Sequence, residues 1–446
     1  MLTLLGILLF VVGLAFSIWF HELGHFFWAR RFGMRVTQFM VGFGPTLWAK
    51  QSGETEHGVK AIPLGGYIRI VGMIPPGPDG EPSRKYGRMR RLIEEVRGAA
   101  LQDVKPSDGD RVFYRKPWWQ RVIVMSAGPL HNLALAFIFF AIILSGIGIQ
   151  VPTRTVAQVN DCVLPATASV DADCTTPVDA QGQLCEAGLD CALPVASPAR
   201  EAGFRAGDTI LAVDGDPADD WAAVRARIQD SPEQPLSVTV DRGGTQRSIT
   251  VIPMRNQVYD ADGEVVTVGF LGLAPDTVYE QQALGSVPGQ VGSFVVLAAQ
   301  RLIEIPERIP QLFRAAFLGE VRDVEGPVGV VGVSRISGET FALPSSETPL
   351  LAKITFFLTL LAGMNMVLFL FNLVPIYPLD GGHVAGALWE KARSVVARVR
   401  HKPDPGPFDT ARLMPVAYVV ACLFIVLSGL LLVADIVNPL TLEDLQ

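Results

Sequence analysis

Seven residues near the start of the chain, Trp19-Phe20-His21-Glu22-Leu23-Gly24-His25, restrict its folding more than any others. They interrupt a stretch, 2–28, that is otherwise almost wholly apolar. On a helix, residues four apart lie one turn apart on the same face, so His21 and His25 can grip one metal ion together. Glu22 then projects beside the metal, where it can take a proton from water. This is the HExxH arrangement of two ligands and a general base on one helical turn. Packed core histidines beside an ion pair would be the blander account. However, three ionisable side chains inside a membrane-length helix are costly, and such residues mark functional sites.

The rest of the chain agrees with a membrane setting. Of its 446 residues 49% are hydrophobic and only 18% charged, and the mean hydropathy is +0.34. Four stretches are long and apolar enough to span a bilayer, at about 2–28, 122–149, 354–377 and 414–434. The first differs from a secretory signal: it has no basic leading region and no small-residue cleavage site, so it reads as a retained helix.

Lysine and arginine placement sets the expected orientation. Residues 30–121 carry 17 Lys/Arg, including Arg30, Arg31 and the run Arg84-Lys85-Tyr86-Gly87-Arg88-Met89-Arg90-Arg91. The connection 390–412 carries six more, whereas 151–353 has 14 Lys/Arg against 27 Asp/Glu. Basic loops stay in the cytoplasm, which puts 151–353 and both termini outside. Arg30 follows His21 and His25 by nine and five residues. At 1.5 Å per residue the metal site then lies about 8–14 Å inside the cytoplasmic boundary, within reach of water. The net charge is −7, and nucleic acid is not expected among the partners.

Four of the five cysteines, Cys162, Cys174, Cys185 and Cys191, crowd into the exported loop. An even number outside the membrane predicts two disulfides with three possible connectivities. Zinc is the rival partner for these thiols, but no C-x-x-C pair is present.

In chain order, Val36–Met73 is rich in glycine and β-formers and ends in Pro63-Leu64-Gly65-Gly66-Tyr67-Ile68-Arg69-Ile70, which predicts hairpins. Their apolar character beside a membrane site suits a membrane-dipping element whose edge pairs with an extended substrate. A short helix is expected at 86–101 in a basic stretch suited to anionic headgroups. Lys116-Pro117-Trp118-Trp119-Gln120-Arg121 anchors the second span at the interface, and Ser126-Ala127-Gly128-Pro129-Leu130-His131-Asn132 inside it allows close helix approach. His131 reads as a packed histidine rather than a ligand. Farther on, Ser197–Gly215, a helix near 219–230 and strands near 235–241 and 246–253 resemble a bacterial PDZ domain, with a partner strand near 155–160 and the cysteine segment inserted. Such domains bind peptides by adding a strand to a sheet. A juxtamembrane helix falls within 285–320. The third span ends in Phe371-Asn372-Leu373-Val374-Pro375-Ile376-Tyr377-Pro378-Leu379-Asp380-Gly381-Gly382-His383. Its prolines break the helix at the membrane edge. Asp380 is the natural third ligand, since His₂-carboxylate sites leave a fourth position for water.

These motifs, in this order, resemble the bacterial site-2 protease family of intramembrane zinc metalloproteases, of the regulator-of-sigma-E protease type in its single-PDZ branch. The resemblance covers nearly the whole chain. It implies a polytopic α-helical membrane protein with four transmembrane helices, a membrane-associated β-hairpin region and an inserted extracytoplasmic PDZ domain. The expected divisions are a first core half at 1–150, the PDZ domain at 151–258 with its Cys-rich insert at 160–195, a juxtamembrane region at 259–349 and a second core half at 350–446. It further implies one zinc ion held by His21, His25 and Asp380, with Glu22 as base and proton donor, and a substrate-facing set of Asn372, Pro375, Gly65, Gly66 and Asn132. The family's usual substrate is a single-pass membrane protein, often an anti-sigma factor already shortened by another protease, cut in the bacterial inner membrane. One PDZ domain and the Cys162–Cys191 insert depart from the two-PDZ pattern and affect gating rather than chemistry. A non-catalytic scaffold has no use for an unligated Glu22 beside a metal. A metal transporter needs rows of intramembrane ligands that this chain lacks.

Overall fold

The structure, a computed structural model, describes residues 1–76, 88–165, 167–168, 172–179, 182–185, 191–259, 265–344 and 348–442. Residues 84–87 of the basic run, and the first two residues of the helix expected at 86–101, lie outside that set. By chain contacts the protein divides into two compact units, Met1–Ile147 with Gln282–Gln446, and Gly148–Gln281.

In the first unit, α1 (Leu2–Arg31) ends with two arginines in its last turn, where positive charge complements the helix dipole. Strands β1 (Val36–Ser52) and β2 (Thr55–Ile70) follow. Shifts of register let Phe39, Met40 and Val41 pair with Ile68, Tyr67 and Gly66 on one side and with His57, Gly58 and Val59 on the other. The expected hairpins therefore close into one small curled sheet. Its far end exposes Phe43, Leu47, Trp48, Val59 and Ile62, an apolar surface that suits lipid better than water. Helix α2 (Arg88–Leu101) precedes α3 (Trp118–Ala141), which continues as a wider turn to Ile147.

The second unit begins with β3 (Ile149–Val159) and the cysteine segment. It continues through α4 (Pro198–Glu201), β4 (Thr209–Val213), β5 (Asp216–Pro217), α5 (Trp221–Gln229), β6 (Leu236–Arg242) and β7 (Thr245–Val251), then β8 (Met254–Tyr259), β9 (Val265–Phe270) and β10 (Leu273–Glu280). The main sheet has the order β10-β3-β4-β6-β7, with β5 on β4, and β8 pairs with β9 separately. Strand β6 buries Leu236, Val238 and Val240 at alternate positions, the period of a strand with one face in a core. They pack with Val156, Phe204, Ile210, Trp221 and Leu271. The unit extends past the expected boundary at 258. The cause is long-range pairing: β10 lies along β3 from Leu273–Val159 to Glu280–Ile149, and Leu271 completes the same core. Cys162 is bonded to Cys174, and Cys185 to Cys191.

Asp208 is fully buried in this unit. Arg242 donates to both of its carboxylate oxygens, at 2.6 and 2.7 Å, and the Arg205 N–H donates at 2.9 Å. Burial alone would push the Asp208 carboxyl up, but the Arg242 and Arg205 contacts outweigh it and hold it below the usual carboxylate range.

The first unit resumes with α6 (Val287–Phe317), α7 (Val330–Ala342), α8 (Leu350–Leu373), α9 (Asp380–Val399) and α10 (Met414–Val437). Among the described residues, four helices are long and apolar enough to cross a membrane: Leu2–Arg31, Trp118–Ile147, Leu350–Leu373 and Thr410–Val437. The third stops at Leu373, short of the expected 377. Val374 already has an extended backbone (ψ 128°), as a residue before proline must. Phe10, Leu14, Ile18 and Leu361 join α1 to α8 in one buried cluster. Two charges hold α7 at its ends. Asp435 of α10 accepts from the Gly332 N–H at 2.8 Å and from Arg322 at 2.8 Å. Buried Lys353 of α8 donates to the carbonyls of Phe341 and Leu343. Both placements suit the helix dipole.

Candidate metal centre

The site is assembled from three helices. Helix α1 carries His21, Glu22 and His25 on consecutive turns, all less than a tenth exposed. The proline break after α8 turns the chain back, so that Asp380, the first residue of α9, arrives against them. His21 Nε2 and His25 Nε2 are 3.2 Å apart, and Asp380 Oδ2 lies 3.3 and 3.2 Å from them. Ligands of a tetrahedral zinc, each about 2.0–2.1 Å from the metal, are separated by roughly 3.3 Å. The donor set therefore fits. The charge pattern agrees: Asp380 Oδ2 is buried without a hydrogen-bond partner among the described residues, and an orphaned acceptor facing two imidazole nitrogens calls for a cation. Among the described residues, these three side chains form the one group of His, Cys, Asp or Glu able to share an ion.

Helix α3 supplies the support. His25 Nδ1–H donates to the Val124 carbonyl at 2.7 Å, which fixes the tautomer and leaves Nε2 free to ligate. Asn132, wholly buried, places its amide 3.1 Å from His21 Nδ1; with the amide turned so that its unpartnered Oδ1 meets that nitrogen, it accepts the Nδ1–H and leaves Nε2 free to ligate. The approach of α3 is possible only because it presents no side chain at Gly128. A Cβ there would lie 2.1 Å from His25 Nε2, and one on Gly24 would lie 2.6 Å from the Ala127 carbonyl. Glycine at both positions lets the helices touch backbone to backbone. The curled sheet closes the other side: a Cβ on Gly66 would sit 3.0 Å from Glu22 Cγ, so this glycine marks where β2 reaches the base.

The structure thus brings His21, His25, Asp380, Glu22, Asn132 and Gly66 together. Gly65 is next to them in the chain, in a left-handed conformation (φ 95°) beside Phe43. Asn372 lies on the last turn of α8, where its amide donates within its own helix to the Leu368 carbonyl at 3.0 Å. Pro375 is exposed in the turn that follows. His131 lies outside the group able to share an ion; its Nδ1 donates to the Ala127 carbonyl at 2.8 Å and its ring packs on Phe20. His383, three residues past Asp380, packs on Tyr377 with ring centres 4.5 Å apart.

The sequence reading assigned Gly128 and Asn132 to helix packing or substrate contact, not to the orientation of His25 and His21. Their spacing of four, on a single helix face, was the available signal. Asn365, fully buried and donating to Ser17 Oγ at 2.8 Å one turn before His21, carries no local sequence signal, because its neighbours from Leu360 to Leu370 are apolar or small.

Two histidines and a carboxylate around a metal-sized gap, with an unligated glutamate next to them inside membrane-length helices, define a membrane metalloprotease. Comparison with known proteins makes this specific. The sequence profile of Peptidase family M50 matches residues 9–402. Zinc metalloprotease Rip1 of Mycobacterium tuberculosis (strain ATCC 25618 / H37Rv) is 32% identical over 99% of this chain and 100% of its own. Metalloprotease MmpA of Caulobacter vibrioides is 27% identical over 87% of each chain, and Protease RseP of Yersinia pestis 26% identical over 86% and 90%. The chain belongs to Peptidase family M50, the site-2 protease family.

Proposed function

We propose that the protein is an intramembrane zinc endopeptidase that cuts a single-pass membrane protein within or near its membrane segment, in regulated signalling of the anti-sigma-factor kind. The observation that carries the reading is the convergence of His21 Nε2, His25 Nε2 and Asp380 Oδ2 within 3.3 Å, beside a buried Glu22 that belongs to none of those contacts. His21, His25 and Asp380 would hold zinc. When bound, zinc supplies Lewis acidity, bringing the pKa of water to about 7 and polarising a carbonyl. Glu22 takes the proton of the attacking water and later passes it to the leaving amine. Asn132 and the Val124 carbonyl keep the two imidazoles turned so that both Nε2 atoms face Asp380.

A substrate helix hides its peptide bonds in its own hydrogen bonds and has to unwind before cleavage. The strand around Gly66, next to Glu22, offers backbone groups that replace those bonds, and Asn372 can turn its amide from Leu368 to a substrate carbonyl. In this reading the Gly148–Gln281 unit is a PDZ domain. The order of its elements supports that, and its edge strand β10 is where a peptide would add. The connections 30–121 and 390–412 face the cytoplasm of a bacterial inner membrane, and the unit and both termini face outward.

The test is zinc content and cleavage of a model transmembrane substrate, measured on the same purified protein. Glu22→Gln keeps its zinc while turnover falls about 10²–10⁴-fold. His25→Ala and Asp380→Ala lose zinc. If Glu22→Gln loses zinc as fully as His25→Ala, Glu22 is a ligand and the roles are wrong. Normal cleavage by Glu22→Gln ends the protease mechanism.

A further inference from the structure

Helix α9 does more than deliver Asp380. Its inner face, with Gly382, His383, Gly386 and Ala387, is buried, and Glu390 pairs with Arg121 of α3. On the opposite side Leu388, Trp389, Val395, Val396 and Val399 are exposed by 42–73%. At 100° per residue these positions fall in one stripe about 120° wide. Cations flank it on both edges: Arg393 and Arg400 on one side, Lys391 and Arg398 on the other. A helix with an apolar stripe bordered by Lys and Arg lies in a membrane interface, stripe toward the acyl chains and cations toward the headgroups. Chain connectivity agrees, because α9 lies between one membrane-length helix that ends at Leu373 and the next that begins at Thr410.

The stripe also borders a built cavity. Trp389, Arg393, Val396, Arg400, Lys402 and Pro403 enclose part of a space of about 350 Å³ between α9 and the loop that returns along it. Arg393 anchors that loop by donating to the Gly406 carbonyl at 3.1 Å, yet its Nε is buried without a partner among the described residues. Residues 388–406 hold five Lys/Arg against two acids, of which Glu390 is taken by Arg121 and Asp404 by Ser394 and the Gly406 N–H. An apolar floor rimmed by three cations matches a monoanionic phosphodiester carrying acyl chains. We propose that this cavity is a binding site for an anionic phospholipid of the membrane leaflet faced by the two basic connections. By clamping α9, the lipid steadies the helix whose first residue is Asp380. Basic side chains attract an anionic surface, so the three that line the space favour an anionic over a zwitterionic headgroup.

The experiment uses the full chain in zwitterionic detergent and in phosphatidylcholine nanodiscs. Phosphatidylglycerol is titrated in, melting temperature is followed, and lipid retained after purification is counted by native mass spectrometry. Inorganic phosphate is the second probe. The unaltered protein is expected to be stabilised by phosphatidylglycerol and to retain it at least about fivefold over phosphatidylcholine, with no response to millimolar phosphate. Arg400→Glu with Lys402→Glu abolishes that preference, and Val396→Ser weakens it. Melting in phosphatidylcholine alone shows that both variants fold. Equal retention of the two lipids by the unaltered protein overturns the proposal, as does a charge-reversed variant that still prefers phosphatidylglycerol. Stabilisation by phosphate matching that by lipid, unaffected by Val396→Ser, overturns it too, since the cavity then takes a free anion.

Discussion

At the scale of single residues, the centre depends as much on what supports the ligands as on the ligands. Asn132 touches His21 and no other candidate ligand. If its amide orients the imidazole, Asn132→Leu, similar in size and apolar, leaves the fold intact and weakens zinc binding or turnover about 10–100-fold, the usual effect of removing a partner of a metal-bound histidine. Zinc retention during dialysis against a graded chelator measures this. Unchanged retention together with unchanged turnover returns Asn132 to a packing role. The histidines and Glu22 were legible in the sequence because ionisable groups are costly in an apolar helix, and Asp380 because it follows the Pro375 and Pro378 break with a carboxylate that completes a His₂-carboxylate set. Asn132 and Gly128 were only half legible, because small and amide residues inside a span serve helix packing equally well.

At the scale of elements, the Gly148–Gln281 unit is tied together by pairings its local sequence does not announce. Asp208 precedes β4 and Arg242 ends β6, and the adjacency of those strands in the sheet lets one neutralise the other. The folded carboxyl ionises below its ordinary range, so the pair stabilises the unit at neutral pH. That contribution is lost as pH falls from about 4 through the lowered value. Asp208→Asn is therefore expected to lower the melting temperature at pH 7, with a deficit that shrinks below about pH 4; a deficit independent of pH would show that the charge is not the cause. The cysteine segment gives a second expectation. Cys162, Cys174, Cys185 and Cys191 resist thiol labelling in protein isolated from its native envelope until a reductant is added, and reduction exposes all four. Labelling without reductant contradicts both bonds. That an even set of cysteines crowded into one segment would pair was readable from the sequence; which pairs form depended on how the segment folds beside β3.

At the scale of the whole molecule, the four apolar helices and the two basic connections predict a topology that labelling can test. A reporter joined after Gln446 is expected to label from outside the cell, and one inserted at Lys85 only from within. The reverse pattern would move the metal site to the other leaflet and remove the basis for lipid selection at α9. The same arrangement accounts for the proline break after α8. A straight continuation of that helix would carry Asp380 past the membrane edge, whereas the extended Val374 and the turn through Ile376 and Leu379 fold it back onto α1.

The sequence by itself determined four apolar helices of membrane length and the His21-Glu22-Leu23-Gly24-His25 motif set within the first of them. Each follows from a local cost, the burial of charge or the length of an apolar run, that no distant contact can remove. Tertiary structure alone decided the rest. Closure of β1 and β2 into one sheet, the return of β10 to β3, and the backbone contact at Gly24 and Gly128 depend on residues far apart in the chain. Their pairing energy exists only once the chain has folded, so no window of sequence contains it.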